Sequence, residues 1–258
     1  MIEGWSHLAS VEYNNLYASA CIDAVNSDEA FKTFKRDHRY NQVLEHVPTD
    51  QGQVYADQIV AQGLDSELLK LFKENDYLGG ASLHNYNQPF GFISPSTLRY
   101  IKNTLDIKDF VGGTDLGKVV EIGGGYGGLC KTLSCACEFS EYHLYDIEPA
   151  SKLQQKYLSN FEIDAELHYH SSIDVVQDID LVISNYAYSE LNEELQTLYY
   201  NNVIANSKRV YMILNKGQVD REVLLNRAEK DFTVTVGKVL DFYPANGHLY
   251  YTTMVRDV

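Results

Sequence analysis

The chain has 258 residues, 45% of them hydrophobic and 12% aromatic, which suffices for one large packed α/β domain and argues against a disordered chain. Against 21 basic side chains stand 36 acidic ones, for a net charge of −15; the one basic stretch, Lys35-Arg36-Asp37-His38-Arg39, is short and interrupted. That balance argues against a nucleic-acid partner.

No run approaches the roughly 18 apolar residues of a membrane span, and no charged-then-apolar leader opens the chain. The expected setting is cytoplasmic. The cysteines are Cys21, Cys130, Cys135 and Cys137. Cys135-Ala136-Cys137 has neither the spacing nor the second pair of a zinc site, so free thiols and no metal are expected.

Leu8, Val11, Leu16, Ala20 and Val25 recur at helical intervals over residues 1–25. Ser27 is an N-cap with Asp28 and Glu29 in the following turn, and a second helix is expected to run from there to Pro48. A third is expected from Gln53 to Asn75, with Gly63 as its weak point. Gly79 to Pro95 mixes glycines, aromatics, amides and His84, the make-up of a loop that carries binding groups. Ser94 and Pro95 then begin a helix to about Leu105. Residues 1–93 therefore read as a helical extension with a substrate-side loop, and residues 94–258 as the main domain.

The centre of the chain is Lys118-Val119-Val120-Glu121-Ile122 followed by Gly123-Gly124-Gly125-Tyr126-Gly127-Gly128. A β-branched strand breaks into glycines, and a helical spacing resumes at Leu129. Strand, glycine turn and helix together make a nucleotide-type cofactor site. Gly123, Gly125 and Gly128 fit the dinucleotide pattern; Glu121, Gly123, Gly125 and Gly127 fit acid-x-Gly-x-Gly-x-Gly. The second resembles motif I of class I S-adenosylmethionine-dependent methyltransferases. Glu121 favours it, since an acid there suits a cationic cofactor and repels a pyrophosphate.

Downstream, strands are expected at Glu141–Asp146, Ala165–His170, Asp178–Ser184, Arg209–Leu214, Phe232–Val239 and Leu249–Val255. Helices are expected at about Pro149–Phe161, Asn192–Ala205 and Val219–Lys230. Asn246-Gly247 is a tight-turn signal, so the last two strands should pair antiparallel. The fold class is α/β, a Rossmann-like doubly wound, mostly parallel sheet.

Asp146 ends the second strand, where a carboxylate reaches a cofactor ribose. Ile147 would pack on the adenine, and Ser171 and Ser172 would reach its edge. Ser184 and Asn185 end the fourth strand beside the first, where Tyr186 to Glu190 can position a substrate.

Residues 118–258 thus resemble a class I S-adenosylmethionine-dependent methyltransferase core. That resemblance implies seven strands in the order 3-2-1-4-5-7-6, strand 7 antiparallel. Phe34-Lys35-Arg36, Ile93-Ser94-Pro95-Ser96-Thr97-Leu98-Arg99-Tyr100, the glycine turn and Ser184-Asn185-Tyr186-Ala187-Tyr188-Ser189-Glu190 extend the resemblance to a family of sugar O-methyltransferases. The resemblance implies S-adenosyl-L-methionine as cofactor and a small-molecule or glycan hydroxyl as acceptor. Glu121 would hold the methionine amino group, Gly123, Gly125, Tyr126 and Gly127 would give backbone access, and Arg99 could pair with the methionine carboxylate.

A sugar hydroxyl needs a general base, for which His84, Glu190 and His248 are candidates. Two other readings stay open: a methyltransferase for an amine, phosphorus-linked or protein acceptor, and a non-catalytic or NAD-binding protein of the same fold.

Overall fold

The computed structural model describes residues 11–214, 221–238 and 250–256. Lys118–Ile122 forms β1, and its apolar run is buried on both faces, as a central parallel strand must be. The other strands of its sheet are β2 (Glu141–Tyr145), β3 (Glu166–His170), β4 (Ile179–Asn185), β5 (Ser207–Leu214), β6 (Phe232–Lys238) and β7 (Tyr250–Arg256). Their order is 3-2-1-4-5-7-6. All are parallel except β7, which runs antiparallel to both β5 and β6. This is the expected doubly wound sheet. The order in which strands are added reverses between the parallel neighbours β1 and β4, the switch point at which such sheets open a crevice at the strands' carboxyl ends.

Two apolar clusters cover the sheet. Val119, Leu181, Ile183 and Tyr211 face one side with Leu129, Leu133 and Leu153. Val120, Ile122, Val182, Val210 and Met212 face the other with Tyr199 and Leu224. The alternation of Val119 and Val120 between them is the period of two that a strand imposes.

The helices are α1 (Val11–Asn26), α2 (Asp28–Phe31), α3 (His38–Asn41), α4 (Thr49–Gln62), α5 (Ser66–Lys73), α6 (Pro95–Val111), α7 (Gly128–Ala136), α8 (Glu148–Leu158), α9 (Ala187–Glu190), α10 (Glu193–Asn202) and α11 (Arg221–Ala228). In the extension, α1 packs on α8, α4 on α6 and α5 on α7. Tyr17, Phe31, Phe34 and Tyr40 belong to the same cluster as Val119 of the sheet.

Several boundaries differ from expectation. The helix expected from Ser27 to Pro48 is broken: Ser27 caps α2, accepting from Ala30 N, but Asp37 then leaves the helical region and caps α3, accepting from Arg39 N. A short acid that binds the backbone locally competes with helix continuation. Pro48 precedes α4 instead of ending its predecessor.

Gly63, at φ 79°, divides the expected third helix in two, and Asp65 caps the second part. By contrast, α6 continues to Val111 and stops at Gly112. Residues 171–178, between β3 and β4, contain no helix. All four cysteines are free. The helical start at residues 1–10, the Asn246-Gly247 turn and His248 lie outside the described residues.

Candidate functional site

The glycine turn sits at the carboxyl end of β1. Gly123 has φ 80° and Gly125 φ 59°, a region that L side chains rarely adopt. A Cβ on Gly123 would lie 2.1 Å from Ala187 Cβ, and one on Gly125 would lie 2.8 Å from Leu44 Cδ1. The turn therefore has the extension on one side and the β4–α9 junction on the other.

Asp146 follows β2 and is buried. Its Oδ2 accepts from Gly125 N at 2.9 Å and from Gln154 Nε2 at 3.4 Å; Oδ1 accepts from Ile147 N at 2.8 Å. Burial pushes this carboxyl up to about 7, although the amides of Ile147 and Gly125 pull it back. Glu121 is also buried, and its Oε2 accepts from Tyr142 OH at 2.9 Å. Burial raises it to about 7 against the Tyr142 bond, with the charge of Asp146 adding to the rise. Two carboxyls flanking one turn thus favour protonation or a cationic neighbour.

Asn185, the last residue of β4, has both amide atoms buried without a hydrogen-bond partner. Buried amides are normally paired, so this one has hydrogen-bonding capacity that the described residues leave unused. The next residue, Tyr186, has φ 73° and ψ −42°, a strained conformation for a residue with a side chain. Its ring lies 5.5 Å from the Arg99 guanidinium. Arg99, buried near the start of α6, donates to Leu44 O at 3.0 Å. Nearby Glu45 has Oε1 buried without a partner, and burial raises its carboxyl against the pull of Lys35 and Arg99.

The remaining candidates fall in different places. Ile147 packs partly buried at the start of α8 and touches both apolar clusters. Ser184 is buried, donating to Ile122 O at 2.9 Å and accepting from Tyr188 N at 3.1 Å; its hydroxyl is thus already engaged tying β4 to β1. Ser171 and Ser172 are exposed beyond β3, and Ser172 donates to Asp174 Oδ2. His84 is exposed in a small hairpin with Ile93, its Nδ1 3.4 Å from Thr49 Oγ1. Glu190 is exposed at the end of α9.

The ring of Tyr126 points away from the turn into the core. It packs edge-on to Tyr157 at 4.8 Å and to Phe34 at 5.5 Å, and its hydroxyl accepts from Asn75 Nδ2 at 3.0 Å. Buried Lys35 stands 4.3 Å from the Tyr126 ring centroid and donates to Asn75 O at 2.5 Å. The side chain of Tyr126 therefore anchors the extension, and only its backbone remains with the turn. The large aromatic ring amid glycines was the sequence signal for this, since such a ring needs a core.

Sequence reasoning also missed Gln154 and Glu45. Gln154 lies eight residues after Asp146, on the buried face of α8, and helical spacing could have found it. Glu45 follows the broken helix and carried no such signal.

No family model and no curated protein matches the chain. Among solved structures, it is similar to magnesium protoporphyrin IX methyltransferase from Synechocystis PCC 6803, with bound S-adenosylmethionine. Identity there is 14% over 62% of this chain and 81% of that one, with a TM-score of 0.48. Similarity extends to the N-methyltransferase NodS from Bradyrhizobium japonicum, in complex with S-adenosylhomocysteine, at 10% identity over 62% and 87% and a TM-score of 0.48. An rRNA methylase from Streptococcus thermophilus matches at 15% over 58% and 94%, TM-score 0.46.

Proposed function

We propose that the chain is an S-adenosylmethionine-dependent methyltransferase that transfers a methyl group to a hydroxyl of a sugar or glycan precursor. The observation that carries the reading is the buried Asp146 carboxylate. It ends the strand next to the glycine turn and holds the Gly125 amide at 2.9 Å. In this sheet topology such a carboxylate accepts hydrogen bonds from ribose hydroxyls. The unpartnered amide of Asn185 and the two acids that burial leaves poorly ionised are what a ligand with a positive charge and several polar groups would complete.

When bound, S-adenosylmethionine supplies an electrophilic methyl group on a sulfonium. The chain's own contribution is position and charge. Asp146 would hold the ribose, and Gly123 and Gly125 would let the backbone approach. Glu121 would offer negative charge below the turn, and Arg99 a cation for a carboxylate. Asn185 and Tyr186, at the switch point, would orient the acceptor. The hydroxyl proton would pass to a base drawn from His84, Glu190 and His248.

The sugar assignment draws its support from the resemblance across Phe34–Arg36, Ile93–Tyr100 and Ser184–Glu190. A net charge of −15 also disfavours a polyanionic acceptor such as nucleic acid. Among the described residues no helix is long and apolar enough to cross a membrane.

Calorimetry with S-adenosylmethionine and with NAD tests the cofactor; binding of NAD alone would overturn the proposal. Incubation with methyl-labelled cofactor and a panel of nucleotide sugars, oligosaccharides and amines tests the acceptor. Label on an amine and none on any sugar would move the reading to N-methylation. Alanine at each of His84, Glu190 and His248 tests the base, and undiminished turnover in all three variants would remove that role.

A further inference from the structure

Away from the cofactor crevice, β2 and β3 carry a second constellation. Glu141, His143 and Tyr145 alternate on β2, opposite Glu166, His168 and His170 on β3 in parallel register. Residues two apart on a strand share a face, and their cross-strand partners share it too. The face thus holds a ladder of imidazoles. His143 and His168 stack with centroids 4.4 Å apart, and His170 stacks on Tyr145 at 4.3 Å.

We infer that Glu141, His143 and His168 form a binding site for a zinc-class divalent metal ion on this face of the sheet. Each of the three residues offers one ligand atom, and those atoms lie within 4.8 Å of one another. Glu141 Oε2 is 3.1 Å from His143 Nε2 and 3.9 Å from His168 Nε2. Ligands about 2.0–2.1 Å from a tetrahedral zinc stand about 3.3 Å apart, between those two values. His168 Nε2 is buried yet has no hydrogen-bond partner, an independent sign that a ligand belongs at that atom.

The surroundings match what metal ligands require. His143 Nδ1 lies 3.0 Å from His170 Nε2, so the second nitrogen of the ligating ring is held and its tautomer fixed. Lys118 Nζ, 3.3 Å from Glu141 Oε1, orients the carboxylate. Glu166 Oε2, 3.7 Å from His168 Nε2 on an exposed side chain, stands at the rim as a fourth ligand. Two imidazoles with one or two carboxylates suit zinc over calcium or magnesium. The near-parallel rings of His143 and His168, 19° apart, must tilt toward each other to converge on one ion; His168, 38% exposed, has room to do so.

His143 precedes Asp146 by three residues, about 10 Å along a strand. The ion would therefore clamp edge strand β3 to β2 and take no part in methyl transfer. This site stands whether or not the proposed function does.

The test uses full-length protein without a polyhistidine tag, stripped with chelator and dialysed against zinc chloride. The expected result is one zinc per chain by mass spectrometry, a visible absorption band of a four-coordinate ion with cobalt in its place, and a raised melting temperature. His168→Ala and Glu141→Gln, at partly exposed positions, should weaken zinc binding at least tenfold with an unchanged circular dichroism spectrum. His38→Ala, at an exposed histidine elsewhere, should leave it intact. Less than one zinc per ten chains, or equal affinity in wild type and His168→Ala, would overturn the inference.

Discussion

Two buried polar clusters, one on each side of the glycine turn, look alike in composition and differ in completeness. Around Asn75 the hydrogen bonds close. Its Nδ2 donates to Thr97 Oγ1 and Tyr126 OH, its Oδ1 accepts from Tyr157 OH, and its carbonyl accepts from Lys35. Asp76 in turn accepts from Ser94 and Thr97. Around Asp146 they do not close: two carboxyls are pushed to about 7, and Gln154, whose Nε2 reaches Asp146, has its Oε1 buried without a partner. A complete network specifies one arrangement of a core, whereas an incomplete one costs stability and persists where a ligand completes it. Burial of polar groups alone would have marked both as sites. Completeness separates them.

The contrast is broken most directly at Asp146. Asp146→Ala should weaken S-adenosylmethionine binding by about 100-fold or more, the loss of two charge-assisted hydrogen bonds of about 1.5–3 kcal/mol each. Its urea midpoint at pH 8 should fall much less than the binding does, because removing a carboxylate that burial disfavours offsets the acceptor lost to the amides of Gly125 and Ile147. Calorimetry and urea titration read the two effects separately. A stability loss as large as the binding loss would make the two clusters equivalent.

Asn75→Ala should show the opposite signature. Three side-chain hydrogen bonds go, leaving the buried hydroxyl of Tyr126 without a partner while that of Tyr157 keeps the backbone carbonyl of residue 75 at 3.0 Å, at a cost of about 2–3 kcal/mol in unfolding free energy. Cofactor affinity should change by no more than about threefold, since Asn75 serves the seam between extension and core. A large affinity loss would show that the seam and the crevice act as one unit.

The sheet was legible because its information is local. Val119 and Val120, the alternating later strands and the glycine turn each announce themselves within a few residues, and β7 follows from the closing pair. Asp146 was legible for the same reason, its place being set by the turn. The extension was less so: Gly63 marked the weak point at which its third helix does break, but the break at Asp37 depends on a local side-chain cap that apolar spacing does not reveal. The packing of the Tyr126 ring was not legible because the partners that hold it, Phe34 and Asn75, are distant in sequence. The same limit hid the β2–β3 ladder: His143 and His168 become neighbours only through strand register. Glycine and acid at fixed spacing speak for themselves, but side chains paired across strands do not.

The smallest effect concerns pH. Glu121 and Asp146 titrate near 7 in the folded chain, against ordinary values of 4.5 and 3.8. Between about pH 4 and pH 7 the folded state therefore holds protons that the unfolded state has released. Stability falls with pH wherever the native state binds more protons, so this contribution is present below the ordinary carboxylate range and lost as pH rises through 7. Urea unfolding of the cofactor-free protein should show a decline of about 1–2 kcal/mol from pH 6.5 to pH 7.5, one group's shift being worth about 1.4 kcal/mol per unit. Asp146→Ala should roughly halve the decline, leaving the part due to Glu121, while Asn75→Ala should lower the whole curve and keep its slope. A cationic cofactor favours the ionised acids, so its binding at pH 6.5 should release protons. Calorimetry in buffers of different ionisation enthalpy reads that release directly, and its absence would mean that the two carboxyls do not face the ligand.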